Sequence, residues 1–423
     1  MKISEIPKYV GKDVDLRGWV YRKRESKSIV FIVLRDSSGI VQCVIKDDNK
    51  DFPEAQKATI ESSVMLSGTV NKDERAPGGY EIKIKKFKIV GLADVFPITK
   101  DQSTEFLLDV RHLWIRSRKL TNIFKIRSET FAAVHEYFRK NGFYEIQSPS
   151  ITGVACEGGS TLFPIKYFGK KAYLTQSWQL YAEAMIFSLE KIYCIAPSFR
   201  AEKSRTRRHL AEYWHAEMEA AWVDHEENMR IQEELITHII NRVVKNCSEE
   251  LEFLGRDPKE LKKMVMPFPR VKYKKAVEML QNVGMKVEYG DDFGAKEERE
   301  LTKKFKKPFF VVEYPKGTKA FYMKENPKDP ATVLCDDLLA PEGYGEIIGG
   351  SERETDIEKL KEMLRLKGEK VKNYEWYLDT RRYGSVPHSG FGMGMERVIM
   401  WICKLDHIRD AIPFPRTINR LYP

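Results

Sequence analysis

Several protein classes are excluded by what this sequence of 423 residues does not contain. Its six cysteines, Cys43, Cys156, Cys194, Cys247, Cys335 and Cys403, stand far apart, with no CxxC pair and no Cys/His group at zinc-ligand spacing. Reduced, mostly buried thiols are expected, and no structural zinc. No apolar run approaches the roughly 20 residues of a membrane span, and Met1–Tyr9 lacks a signal-peptide core. A cytoplasmic protein without membrane association is expected. No GxxxxGKS/T is present, and no GxGxxG follows a strand, so the ordinary nucleotide-binding signatures are missing. A regular βαβ alternation is missing too, which favours an α+β over a Rossmann architecture. Positive charge is in excess: 72 Lys and Arg against 62 Asp and Glu give a net +10. Such a balance suits a polyanionic partner such as nucleic acid without requiring one. The length allows two or three domains with a sizeable core.

Asp13–Lys46 reads as strands joined by tight turns. Val14, Leu16, Gly18 and Val20 alternate with Asp15, Arg17, Trp19 and Tyr21, the period of a half-buried strand. Ser28–Arg35 is β-branched and aromatic, Asp36–Gly39 is a turn, and Ile40–Lys46 resumes a strand. Ser63–Val70 and Tyr80–Val90 supply two more, around the loop Asn71–Gly79. Five short strands in this span fit a five-stranded OB-fold β-barrel. Gly91–Val110 loses the pattern and reads as a linker. Arg116–Lys140 has helical spacing, with Phe124, Phe131, Val134 and Phe138 on one stripe and Asn141-Gly142 as its stop. Tyr144–Ile151 is extended, and residues 250–305 show no clear pattern.

Chemistry concentrates in three stretches. In Lys191–Val223, Ile192–Arg200 and Tyr213–Val223 predict an antiparallel hairpin. On its second strand Trp214, Ala216, Met218, Ala220 and Trp222 point one way, and Tyr213, His215, Glu217 and Glu219 the other. The connecting Lys203–His209 is rich in arginine, and cations beside an acidic, aromatic platform suit a nucleoside triphosphate. Next, Asp336-Asp337 and Glu346, followed by Gly349-Gly350, offer hard oxygen ligands for Mg²⁺ beside a closely approachable backbone. Last, a Gly-rich entry, Gly390–Gly394, leads into the apolar helix Met395–Cys403 with Arg397 in its first turn. A buried arginine there needs an anion, internal or bound.

Together these stretches resemble motifs 1, 2 and 3 of class II aminoacyl-tRNA synthetases. Motif 1 is matched by the long helix and Ser148-Pro149; motif 2 by Phe199-Arg-Ala-Glu202 and His215-Ala-Glu-Met-Glu219; motif 3 by Gly390-Phe-Gly-Met-Gly-Met-Glu-Arg397. A barrel ahead of that domain is the subclass IIb arrangement, and the resemblance covers nearly the whole chain. It implies an OB-fold anticodon-binding domain at 1–97, a linker or hinge at 98–115 and an antiparallel-sheet catalytic domain at 116–423. It also implies ATP and Mg²⁺ as cofactors and a homodimer built through motif 1. Arg200, Glu202 and Arg397 would carry catalysis, Arg200 on the α-phosphate and Arg397 against the base. Tyr213 would stack on adenine, Arg208 and His209 would reach the outer phosphates, and Asp337 and Glu346 would hold Mg²⁺. The substrate α-ammonium would meet Glu157, on a mobile loop, and Gln179.

Two positions bear on which amino acid is charged. Arg353 matches the arginine on the substrate side-chain oxygen, but Ala182 replaces the lysine that aspartate enzymes add. Glu217 brings a carboxylate close to the ligand side chain, which favours a neutral amide over an anion. The implied substrates are L-asparagine and tRNA(Asn). The alternatives are an aspartate enzyme, which could charge both tRNAs, a tRNA-independent asparagine synthetase paralogue, and a catalytically silent relative. Gly349 stands where aspartate enzymes carry a metal-binding serine, so one metal ligand is absent. On the barrel, Phe31 and Gln42, with Arg24 and Glu81 close by, match the residues that stack on and read anticodon bases.

Overall fold

The computed structural model describes residues 1–156, 161–203 and 206–423. The chain divides into two compact units, Met1–Trp114 and Ile115–Pro423. In the first, β1 (Asp13–Glu25), β2 (Ile29–Arg35), β3 (Ile40–Lys46), β4 (Ser63–Lys72) and β5 (Tyr80–Gly91) close a barrel in the order β1-β2-β3-β5-β4. All neighbours are antiparallel except β3 and β5. Alternation decides which side faces inward. Val14, Leu16 and Val20 with Val30, Ile32 and Leu34 fill the interior, and helix α1 (Phe52–Lys57) adds Phe52 and Ala55. Two short helices, α2 (Thr104–Asp109) and α3 (Arg111–Trp114), follow the barrel.

The second unit opens with α4 (Arg118–Lys140). The Ser117 hydroxyl caps it by accepting from Leu120 N, and Gly142 just beyond its end takes a φ of 79°. Its buried stripe is Leu120, Ile123, Ile126, Val134 and Phe138. Phe124 and Phe131 are only half-buried, because positions seven apart drift round a helix of 3.6 residues per turn. Short strands β6 (Tyr144–Glu145) and β7 (Ile151–Thr152) come next, then β8 (Pro164–Tyr167), β9 (Lys170–Leu174), helix α5 (Gln179–Leu189) and the hairpin β10 (Lys191–Phe199) and β11 (Glu212–Ala221).

Helices α6 (His225–Asn246), α7 (Ser248–Phe253) and α8 (Pro258–Lys262) lead to strand β12 (Arg270–Lys272), α9 (Tyr273–Gln281), α10 (Ala295–Thr302) and β13 (Phe309–Val312). Strands β14 (Cys335–Ala340) and β15 (Gly345–Glu352) follow, then α11 (Ile357–Leu366), α12 (Glu375–Arg382), strand β16 (His388–Gly394) and α13 (Met395–Ile402). The main sheet runs β12-β13-β14-β15-β16-β11-β10-β6. It is antiparallel through the middle and parallel at both edges, where β12 meets β13 and β6 meets β10. The stretch 250–305, unpatterned in the sequence, folds: Tyr273, Ala276, Val277 and Leu280 of α9 pack with Phe293, Leu301, Phe309 and Tyr314 into a cluster of their own. All six cysteines are buried. No helix among the described residues is long and apolar enough to cross a membrane.

Candidate functional site

The hairpin and the glycine-rich stretch form one surface. The glycines are not a loop entry: His388–Gly394 is a strand, paired antiparallel to β11 with Glu219 opposite Gly390 and Glu217 opposite Gly392. A Cβ on Gly390 would stand 2.0 Å from Glu219 Oε2 and 2.4 Å from Met218 O, and one on Gly392 would stand 2.4 Å from His215 Nε2. Glycine is required because the large polar side chains of β11 lie across this strand. The polar face of β11 is turned inward, as a ligand platform requires. His215, Glu217 and Glu219 are buried, whereas Trp214 and Trp222, at the ends of the expected apolar face, are 37% and 68% exposed.

Two cavities open on this surface and share Arg200, His215, Glu346 and Gly392. The first brings together Arg200, Arg208, His209, Tyr213, Glu346 and Arg397. The Arg200 guanidinium lies 5.8 Å from the Tyr213 ring centre. Arg397 NH1 donates to Glu346 Oε2 at 2.8 Å, and Arg208 NH2 pairs with Glu298 Oε2 at 2.8 Å. Burial would raise the Glu346 carboxyl, but Arg397, Arg208 and Lys319 outweigh it and hold it down at about 2. Burial and the Arg397 charge push the His209 imidazole below its usual range. Glu202 is not in this lining; it stands 3.8 Å from Arg200 and 3.5 Å from His209.

The second cavity is lined by Gln179, Glu217, Glu219, Lys319, Asp337 and Arg353 among others. Arg353 donates twice to Glu219, at 2.9 and 2.8 Å, with both side chains almost wholly buried. Glu217 accepts from the Ser177 hydroxyl and, at 2.9 Å, from Trp178 N. Burial nevertheless pushes its carboxyl up to about 7. Asp337 accepts from Lys319 Nζ at 2.7 Å; burial, opposed by Lys319, raises its carboxyl to about 6. Asp337 and Gly349 are register partners on β14 and β15. A Cβ at Gly349 would stand 3.5 Å from Glu346 Oε1 and 3.6 Å from Asp337 Oδ1, so both carboxylates converge on that glycine. Ala182 does not line the cavity; it is wholly buried with Trp178 and Ile186. Glu157 lies outside the described residues.

Three contributors had gone unassigned in the sequence. Glu219 carried a parity signal, as the next polar residue on the face of Glu217. Lys319, on a loop, and Glu298, on a short helix in the unpatterned stretch, carried none; Glu298 also accepts from Glu346 N at 2.6 Å.

On the barrel, Arg24, Phe31, Gln42 and Glu81 line one groove on the outer surface. Phe31 is not a core residue: Val30 and Ile32 point inward on either side of it. Arg24 is its register partner on β1. Gln42 and Glu81 pair across β3 and β5, Gln42 Nε2 donating to Glu81 Oε2 at 2.7 Å.

Residues 103–418 match the family described as tRNA synthetases class II (D, K and N), and residues 14–90 match an OB-fold nucleic acid binding domain. The chain therefore belongs to the class II tRNA synthetases. It is 55% identical to an asparagine–tRNA ligase of Thermococcus kodakarensis over 420 residues, 99% of this chain and 97% of that relative. A Thermoplasma acidophilum protein of the same name is 52% identical over 420 residues, 98% of this chain and 97% of the relative. The crystal structure of asparaginyl-tRNA synthetase from Pyrococcus horikoshii complexed with asparaginyl-adenylate superposes with a TM-score of 0.97 at 50% identity, covering 100% of this chain and 99% of that one. Within the class, the chain belongs with the asparagine–tRNA ligases.

Proposed function

We propose that this chain ligates L-asparagine to tRNA(Asn) in two steps, using ATP to form asparaginyl-adenylate. The observation that carries the choice of amino acid is the Arg353–Glu219 clamp beside Glu217. Arg353 keeps donors for a side-chain oxygen while its charge is balanced, and Glu217 adds an acceptor suited to an amide NH₂. An aspartate carboxylate would meet two carboxylates there without a spare cation.

Arg200 lines both cavities, which supports its position where the amino-acid carboxylate meets the α-phosphate. The carboxylate oxygen attacks phosphorus in line, the α–β bridging bond breaks, and pyrophosphate leaves. No proton needs to be removed from the nucleophile, so rate comes from alignment and charge neutralisation. Tyr213 offers a stacking face for adenine, with Arg397 lining the same cavity; Arg208 and His209 face the outer phosphates. Gln179 receives the α-ammonium group, together with Glu157. Glu202 acts by holding Arg200 and His209. The ribose hydroxyl of the tRNA end then displaces AMP.

The donors fit a hard divalent cation. Asp337 Oδ2 and Glu346 Oε2 are taken by Lys319 and Arg397, while Oδ1 and Oε1 converge on Gly349. Asp337 and Glu346 would hold Mg²⁺, which supplies charge neutralisation for the phosphates when bound. Arg24, Phe31, Gln42 and Glu81 would read the anticodon, Phe31 by stacking. The protein would act in the cytoplasm as a homodimer that covers the half-exposed Phe131 and Trp214, whose rings meet edge to face at 6.0 Å.

The test is ATP–pyrophosphate exchange with asparagine or aspartate in separate reactions. Exchange with asparagine alone is expected; exchange with aspartate would overturn the reading of the side-chain end of the cavity.

A further inference from the structure

Behind the Arg353 clamp lies a second layer of buried charge that lines neither of the two cavities. Glu183, on α5, has no exposed surface. Its Oε1 accepts from Gln179 Nε2 at 2.9 Å. Its Oε2 accepts from Tyr377 Oη at 2.7 Å and from Arg381 NH2. Tyr377 and Arg381 stand four apart on α12, in the stretch Trp376–Tyr383, so one face of one helix turn delivers both donors. His388 completes the shell, with Nε2 3.1 Å from Glu183 Oε2 and Nδ1 2.7 Å from Val386 O.

This layer connects to the site at two points. Gln179, held by one Glu183 oxygen, lines the amino-acid cavity. Glu219, which clamps Arg353, has a carboxylate oxygen within 4.8 Å of Glu183 and His388 ligand atoms. Glu183, Glu219 and His388 have the spacing of a metal cage, but Arg381 and Arg353 already occupy the two carboxylates. The group is an ion network. Its two carboxylates, Glu183 and Glu219, face two guanidiniums, Arg353 and Arg381, with the His388 ring in hydrogen-bond contact with Glu183.

We propose that Glu183 is a positioning residue that sets the choice between asparagine and aspartate, by balancing Arg381 one layer behind the Arg353 clamp. Without that carboxylate, a buried cation stands uncompensated close to the side-chain end of the cavity. Buried charge acts over several ångströms because little water screens it. The nearest remedy for an unpaired buried guanidinium is an anionic ligand, and aspartate supplies one. Asparagine does not. Keeping Glu183 ionised thus withholds from aspartate the counter-charge it would need, while the same carboxylate orients Gln179. This inference rests on the assignment of the Arg353 cavity to the substrate side chain.

The experiment compares exchange kinetics for asparagine with the inhibition constant of aspartate against asparagine-dependent exchange. Glu183→Gln should lower the asparagine-to-aspartate preference by about tenfold or more, the scale expected from losing one buried counter-charge. The double variant Glu183→Gln/Arg381→Gln removes both charges and should restore most of the preference. Tyr377→Phe removes a hydrogen bond without a charge; it should raise the asparagine KM and leave the preference unchanged. Were Glu183→Gln not to fold, Arg381→Gln carries the reverse test, since an extra buried carboxylate should weaken aspartate inhibition further. Equal losses for both amino acids in Glu183→Gln, or a preference that the double variant does not restore, would overturn the proposal. An unchanged aspartate inhibition constant in Arg381→Gln would do the same. If the unaltered protein exchanged with neither amino acid, the functional reading itself would fall instead.

Discussion

Two sheet surfaces in this molecule carry the side chains that line a groove or a cavity, and they treat them in opposite ways. On the barrel, Phe31, Gln42 and Glu81 are half-buried and Arg24 is exposed, along a groove open to water. On β11, His215, Glu217 and Glu219 are buried and form part of a cavity floor. Water satisfies the first set whatever its neighbours are. The second set exists only because Arg353, Ser177 and Trp178 N supply partners, and because Gly390 and Gly392 leave room. Residues on the open face can therefore be changed one at a time, while those on the buried face respond as a group.

The strongest test of that contrast is Glu219→Ala. It strands a buried guanidinium, and a loss of about 3–5 kcal/mol is expected on breaking such a pair, read by chemical denaturation. Gly390→Ala should come next. The added carbon would drive Glu219 from its place, and a displacement of about 1 Å in a reacting geometry lowers exchange by roughly 10²-fold. A preserved rate would show that the floor can yield.

Glu217 gives the contrast a pH signature. Its carboxyl is raised from 4.5 to about 7. With the folded value above the unfolded one, folding favours the protonated form, so stability falls as pH rises through this window. Glu217→Gln should flatten that part of the stability curve. Asparagine binding runs the other way: the ionised carboxylate accepts from the amide, and the asparagine KM should fall as pH rises through about 7. On the open face, Phe31→Ala should weaken tRNA binding by about 1–3 kcal/mol, the worth of one stacked base, and leave pyrophosphate exchange untouched. The smallest effect belongs to Asp13→Asn, at the exposed Asp13–Lys85 pair, where the unfolding midpoint should not move.

How legible each region was in the sequence follows the same division. The barrel strands are readable because one face meets water and the other the core, so Val14, Leu16 and Val20 keep a clean period of two. The hairpin was readable for its parity, but nothing in Glu217 and Glu219 announced that both faces of that strand are covered. Gly390–Gly394 resembled a loop entry because glycine density ordinarily marks turns; here it records bulky side chains on the neighbouring strand. In α9, Tyr273, Ala276, Val277 and Leu280 do follow helical spacing, but over nine residues interleaved with lysine. Too short to stand out, the pattern needs Phe309 and Tyr314 from farther along the chain to become a core. Lys319 and Glu298 depend wholly on tertiary placement.

Glu298 carries a consequence for motion. It belongs to α10, whose Leu301 packs in the small cluster around Tyr273, yet its carboxylate grips Arg208 and the backbone N–H of Glu346. Any opening that releases that cluster also loosens two cavity residues, and anything that fastens those residues must slow the opening. The amide protons of α9 and α10 should then exchange more slowly with solvent whenever nucleotide is bound, which makes this corner of the chain a built-in recorder of occupancy.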